Sequence, residues 1–396
     1  MSLFERKPHC VSLVVQKFGG TSLADIPRIR HVADLVIREA QKGSRIVVVV
    51  SAMAGTTNHF FQWCQDLGGG QGSPESDAVL ATGEQITAGL LALALQKRGY
   101  RSRSWTGAQI PIITTADHGS AEILEIDCRC LQEDLATGSI SIVTGFQGIT
   151  REGRITTLGR GGSDTTAVAL AAWLQADRCD IYTDVDGVYL VDPRMVTDAH
   201  KAKTLSYEDM LALSDNGAKV LHPRAVRYAQ KHQIPLQVLS SFSFEPGTLI
   251  SLQGDSARPP FGLTYTTGWF AAQSASPFSE TLHPEGREIR YDASGRKTYQ
   301  SIFPESAWED LERNSPKDLV IQRDLVSISV IGSMLDKEET ASLRTGFCRA
   351  LGSSELPRVY GLSTSPLKWQ LWVEKKSFPG ALRFLYRALQ RTHDIL

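Results

Sequence analysis

Val14–Ile37 reads VVQKFGGTSLADIPRIRHVADLVI, and its three parts set the architecture. An apolar run, VSLVVQKF, ends on Lys17 and suits a buried strand. Two glycines, Gly19 and Gly20, then allow a tight turn. After the turn Ile29, Val32, Ala33, Val36 and Ala40 recur at helical spacing. Strand, glycine turn and amphipathic helix repeat along the next 200 residues. RIVVVVSA reads as a strand apolar on both faces, as a central parallel strand must be. GEQITAGLLALALQKRG reads as a helix stopped by Gly99. ISIVTGF is a third buried strand, DTTAVALAAWLQAD a closely packed helix, and CDIYTDVDGVYLVDPR a strand running into turns. Helices at about Tyr207–Ser214 and His222–His232 and the strand PLQVLSS complete the series. The expected fold class is α/β, with helices on both faces of a mostly parallel central sheet. Gly68–Ser76 is expected to be a mobile surface loop.

The pattern changes after Ile250. LQGDSARPPFGLTY reads as a linker, and residues 262–322 show little regular period. From Val326 a compact α+β order returns. VSISVIG is a strand, and Leu343, Phe347, Ala350 and Leu351 line a helix. PRVYGLSTS and LKWQLWVEK are two more strands, the second with Leu367, Trp369, Leu371 and Val373 on one face. Leu382, Leu385, Tyr386 and Leu389 mark a last helix. The division expected is 1–250, 251–322 and 323–396.

At 396 residues the chain has length for more than one domain, and a formal net charge of −1 gives no reason to expect nucleic acid or an anionic membrane as partner. The first residues mix charges among apolar ones, unlike a signal peptide, and no apolar run is long enough to span a bilayer. A soluble, cytoplasmic protein is expected. The six cysteines lack a C-x-x-C pair and are read as reduced structural thiols.

Three stretches carry chemistry. In VQKFGGTS, Lys17 and the N–H groups around Gly19 and Gly20 form an electropositive setting for phosphate oxygens. The lysine precedes the glycines, so this is not the Walker sequence; alone, the stretch is read first as a plain strand–turn–helix with a surface lysine. In TTLGRGGSDTTAVALAAWL, three glycines surround Arg160, whose planar fork fits a carboxylate. Asp164 either caps the following helix, binds an ammonium or orients a lysine. In YTDVDGVYLVDPR, Thr183, Asp184, Tyr189 and Arg194 lie past a strand's carboxyl end, where open α/β sheets bind ligands. Ser51 and Thr57 in SAMAGTTN, Glu84 in ATGEQITAG and Lys219 in NGAKVLHPR are further candidates; capping and the helix macrodipole account for the first three equally well.

Taken in order, KFGGTS, VVVSAM, TGEQ, GFQG, TTLGRGGSDTTA, YTDVDGVYLVDPR, SYEDML, GAKVLHPR and SSFSFEPGTLI resemble the aspartokinases of the amino-acid kinase family, from Val14 to Ile250. The resemblance implies a three-layer αβα kinase domain over 1–250 and transfer of the γ-phosphoryl of ATP to the β-carboxylate of L-aspartate. It implies Lys17 at the transferred phosphoryl with Gly19 and Gly20 beside it, and Asp164 at the substrate amino group or organising the lysine. Ser51, Thr57, Glu84 and Arg160 would contact aspartate; Thr183, Asp184, Tyr189, Arg194 and Lys219 would hold nucleotide. Mg²⁺ would be held by the ATP phosphates, with no protein ligand set. At the C-terminus the family carries two ACT modules, βαββαβ units that bind effectors and build a homodimer or higher homo-oligomer. Residues 323–396 resemble one module, and 251–322 a divergent segment. The effector loop is replaced by GSMLDKEET, which implies reduced or altered feedback regulation. Two other readings are an acetylglutamate or glutamate kinase and a non-catalytic amino-acid sensor.

Overall fold

The computed structural model describes residues 11–70, 72–254, 261–277, 286–291, 297–314, 319–332, 359–365 and 368–393. The chain divides into two compact units. The first comprises Met1–Val188, Lys203–Met210 and Lys219–Gly254; the second comprises Tyr189–Ala202, Leu211–Ala218 and Asp255–Leu396.

The first unit is built on an eight-stranded sheet. Its elements begin β1 (Leu13–Phe18), α1 (Ile26–Ala40), β2 (Arg45–Val50), α2 (Thr56–Asp66), α3 (Pro74–Leu80), α4 (Thr82–Gln96) and β3 (Ser102–Trp105). There follow β4 (Ile112–Thr114), β5 (Ile123–Ile126), α5 (Arg129–Ala136), β6 (Ile140–Thr144), β7 (Gln147–Ile149), β8 (Ile155–Thr157), α6 (Gly162–Trp173) and β9 (Arg178–Thr183). After β10 (Thr204–Ser206) and α7 (Tyr207–Asp215), of which only the residues to Met210 belong to this unit, come α8 (Pro223–His232), β11 (Leu236–Ser240) and β12 (Thr248–Ser251). The sheet order is β10-β12-β11-β9-β1-β2-β6-β3, and β11–β12 is its one antiparallel pairing. A small sheet, β5-β4-β7-β8, carries the segment leading to Arg160.

The central strands are mostly apolar because each side of the sheet is covered. Phe18, Ile46, Val48, Val50, Ile140 and Ile142 point to α1 and α4, where they meet Ile29, Val32, Val36, Leu91 and Leu95. Each such side chain contributes about 1.5–3 kcal/mol when taken from water. The odd-numbered residues of β1, Val15 and Lys17, therefore face the other side, toward α6, whose residues Gly162–Ala171 are all buried. Asp25 caps α1 by accepting from the Arg28 N–H at 2.8 Å, and Pro27 lies in its first turn.

Gly68–Ser76 is not wholly loop, since α3 starts at Pro74 with Ser73 as its cap. The sequence there is rich in glycine and serine, and only the cap and proline mark the helix. Pro74–Gln96 is long and apolar enough to cross a bilayer, yet half of its most apolar window is buried within the chain, and it carries buried Asp77 and Glu84. It reads as a core element. Cys64, Cys128, Cys130 and Cys179 are free thiols, and burial pushes the Cys128 thiol up to about 12.

The second unit holds a six-stranded antiparallel sheet, β14-β15-β13-β16-β18-β17, made from β13 (Phe261–Ser274), β14 (Gly286–Tyr291), β15 (Lys297–Pro304), β16 (Val320–Gly332), β17 (Val359–Ser365) and β18 (Lys368–Glu374). Helix α9 (Trp308–Asn314) follows β15, and α10 (Phe378–His393) ends the described chain. Residues 262–322 thus contain strands where the sequence shows little alternation. The reason is local: β13 and β16 slip register between Thr267 and Ala271, Gly268 has φ +84°, and Asp324 opposite has φ +57°. Each irregularity swaps the faces. Leu263, Val326, Ile328, Val330, Leu371 and Val373 pack beneath α10, while Phe270, Ala272 and Phe303 meet Leu311 of α9. Trp372 is fully buried on the reverse face with Ala271, Ile302 and Leu325, so β18 is covered on both sides.

This unit also takes two segments from before residue 250. Val191 and Val196 belong to the core under α10, and Tyr386 Oη accepts from the His200 N–H at 2.8 Å. The grouping therefore differs from a division at 250 and 322: 189–202 and 211–218 go with the C-terminal part, and β13 and β16 are shared along their whole length. The helix expected on Leu343, Phe347, Ala350 and Leu351, the loop 333–340 and Leu367 lie outside the described residues.

Candidate active site

Four strands of the first unit, β1, β2, β6 and β9, run parallel and end together. Lys17 is the penultimate residue of β1, and its Nζ lies 2.6 Å from Asp164 Oδ1 in the first turn of α6, with both side chains 12% exposed. The helix is preceded by Gly161 as its N-cap, with φ +70°, where a β-carbon would overlap the His222 side chain. Glycine is required there on both counts. The pair thus places a cation at the strand ends and holds it by a carboxylate at a helix N-terminus, which the macrodipole favours.

Gly19 and Gly20 follow directly. A β-carbon on Gly20 would stand 3.0 Å from the Ala52 carbonyl, and one on Gly19 would stand 3.4 Å from Lys17 Nζ. Close approach to the Ala52 backbone, not an unusual φ, favours glycine at position 20, whereas the contact at position 19 is an ordinary one with a flexible side chain. The Gly19 N–H donates to the Tyr182 carbonyl at 3.3 Å, so it ties β1 to β9 instead of facing a ligand.

Glu84 is in the first turn of α4 and 2% exposed. Its Oε1 accepts from the Ala52 N–H at 3.0 Å, while Oε2 is buried without a partner among the described residues. Burial pushes its carboxyl up to about 7, against the lowering effect of that hydrogen bond. Ser51, half-buried, directly follows β2, with its N–H donating to the Phe18 carbonyl at 3.1 Å. Thr57 is half-buried in the first turn of α2. Ser51, Ala52 and Glu84 thus gather beside the turn that follows Lys17, as Gly20 and Gly83 both pack on Ala52.

Arg160 is exposed between Gly159 (φ +73°) and Gly161, and no hydrogen bond or ion pair engages it among the described residues. Thr183 ends β9 and donates to the Asp184 carboxylate at 3.1 Å. Lys219 is exposed in the first unit. Tyr189 and Arg194 fall in the second unit. There Arg194 forks onto Asp192, with Nε 3.0 Å from Oδ1 and Nη2 2.8 Å from Oδ2. The Arg194 guanidinium, with the Tyr265 hydroxyl, holds the Asp192 carboxyl below its usual range. Among the described residues no group of three or more His, Cys, Asp or Glu gathers to hold a metal ion.

Sequence reading missed the supports of the Arg160 segment. Asp77, 1% exposed, accepts from the Thr157 N–H (3.0 Å), the Thr157 hydroxyl (2.5 Å), the Gly119 N–H (3.1 Å) and His118 Nδ1 (2.8 Å). Arg224 donates to the Leu158 carbonyl at 2.8 Å and the Ala121 carbonyl at 2.5 Å. In the sequence Asp77 sits in a glycine- and serine-rich stretch and looks like a surface residue; only SPESD, with its cap and proline, hints at a helix.

Residues 12–240 match the amino acid kinase family. The aspartokinase of Geobacillus stearothermophilus is 52% identical over 240 residues, which is 61% of this chain and 59% of that protein's length. The aspartate kinase of Pseudomonas fluorescens is 49% identical across 96% of this chain and 98% of that one. E. coli aspartokinase III in complex with aspartate and ADP shares the fold, with a TM-score of 0.71 at 22% identity over 96% of this chain and 100% of the other.

Proposed function

The chain belongs to the amino acid kinase family, and from that premise we propose that it is an aspartate kinase. It transfers the γ-phosphoryl of ATP to the β-carboxylate of L-aspartate. The carboxylate oxygen forms the new bond to phosphorus as the bond to the β,γ-bridging oxygen breaks, giving 4-phospho-L-aspartate and ADP. The observation that carries this reading is the Lys17–Asp164 pair, 2.6 Å apart at the convergent strand ends.

The nucleophile is already ionised near neutral pH, so the reaction needs no general base. Its difficulty is the approach of one anion to a polyanion, which positioning and fixed positive charge overcome. Lys17 meets the transferred phosphoryl, and Asp164 keeps its ammonium in place. Gly19 and Gly20 leave room for the phosphoryl beside Lys17. Ser51 and Thr57 hold aspartate from one side. Glu84 receives its ammonium, a role that suits a buried carboxylate with one unpartnered oxygen. Arg160 grips its α-carboxylate. Thr183, Asp184 and Lys219 serve the nucleotide, as do Tyr189 and Arg194. Mg²⁺ arrives on the ATP phosphates and neutralises part of their charge.

The product is the entry compound of the aspartate-derived amino acids: lysine through diaminopimelate, threonine and methionine. The enzyme works in the cytoplasm. Its C-terminal unit, with β13 and β16 shared between two α+β halves, is a divergent pair of ACT-type modules. It supports a homodimer or higher homo-oligomer and altered feedback control. ADP release measured with aspartate, acetylglutamate and glutamate as acceptors tests the assignment. Turnover with aspartate alone is expected; preference for either other acceptor, or none for any, would overturn it.

A further inference from the structure

Arg160 has a task that its own surroundings do not equip it for. It is exposed, it has no partner among the described residues, and glycines with φ +73° and +70° flank it. A segment of that kind is free to move unless its base is fixed. Two buried or half-buried charges fix it. Asp77 accepts four hydrogen bonds that join Thr157 of β8 to the turn at His118 and Gly119. Arg224, from the first turn of α8, donates to the carbonyls of Leu158 and Ala121. The Ala121 N–H in turn donates to the Thr157 carbonyl at 3.0 Å. Gly159 rests on this base: a β-carbon there would stand 2.8 Å from the Gly119 carbonyl.

We propose that Asp77 and Arg224 are positioning residues that lock the 118–121 turn to β8 and so hold Arg160 ready for the substrate α-carboxylate. This rests on Arg160 gripping aspartate, as proposed above. A carboxylate is favoured at position 77 because three N–H donors, from Thr157, Gly119 and His118, converge on its Oδ2, and a charged oxygen binds them more strongly than the neutral amide oxygen of an asparagine. A guanidinium is needed at 224 because one lysine nitrogen has no fixed fork to bridge two carbonyls.

The test is steady-state kinetics on the full chain carrying Asp77→Asn, Arg224→Lys, Thr157→Val and Arg160→Ala, singly and with each anchor variant combined with Arg160→Ala. Loosening the base lowers the fraction of enzyme with Arg160 in place, so the KM for aspartate should rise at least ~10-fold in Asp77→Asn with kcat and the KM for ATP within ~3-fold. Thr157→Val, which removes only the hydroxyl, should show a smaller rise in the same direction. In the Arg160→Ala background the anchor variants should add little, because the group they position is gone. If Asp77→Asn does not fold, Arg224→Lys and Thr157→Val decide by the same criteria. Anchor variants that leave the KM for aspartate unchanged, or whose effects multiply fully with Arg160→Ala, would overturn the inference alone. An Arg160→Ala enzyme with unchanged KM would overturn the reading beneath it as well.

Discussion

Glu84 shows how burial raises a carboxyl. With one oxygen on the Ala52 N–H and the other unpartnered among the described residues, its carboxyl is raised to about 7 by burial. A raised carboxyl pKa favours folding below the ordinary glutamate range and loses that benefit as pH rises to about 7; from there upward the fold carries a cost of about 3 kcal/mol. Glu84→Gln removes the cost. The variant should melt higher than the parent at pH 8, with the gap closing by pH 4.5, and a gap that stays constant with pH would contradict the assignment. Aspartate binding should show the opposite face of this linkage. An ammonium ligand favours the ionised form, so the parent's KM for aspartate should rise as pH falls below about 7, and the variant's should not follow it.

At the scale of elements, the first unit was legible because its strands and helices obey one period each. The apolar runs at Val14–Phe18 and Ile46–Val50 became parallel neighbours, and the stripe Ile29, Val32, Ala33, Val36 became the buried face of α1. The positions of Lys17, Asp164 and Glu84 were legible for the same reason: they stand at strand and helix ends. The anchors Asp77 and Arg224 were not, since a sequence does not distinguish a buried charge with four partners from a solvated one. The second sheet was hidden by its own irregularity at Gly268 and Asp324, where each half alternates correctly but out of phase with the other. Gly268→Ala tests that account. The added methyl has room, the nearest atom being Glu305 Oε2 at 3.6 Å, so its cost is the left-handed backbone alone, about 1–2 kcal/mol. A lower urea midpoint is expected; an unchanged midpoint would show that the backbone does not need glycine there.

For the whole molecule, the chain returns twice to the second unit before residue 220, so catalytic-type sequence and C-terminal sheet are not separable at one cut. The proposed chemistry depends on less: a cation fixed by a carboxylate at the ends of four parallel strands. Lys17→Ala leaves Asp164 unpaired and nearly buried, so a melting curve must first confirm a folded variant. The decisive measurement is then trapping of the acyl phosphate with hydroxylamine, comparing parent and Lys17→Ala at saturating MgATP and L-aspartate. The account predicts aspartyl hydroxamate from the parent in step with ADP, and a rate at least ~100-fold lower in the folded variant, as for loss of one transition-state donor. Hydroxamate formed by Lys17→Ala at the parent's rate, or ADP released by the parent without hydroxamate, would contradict it.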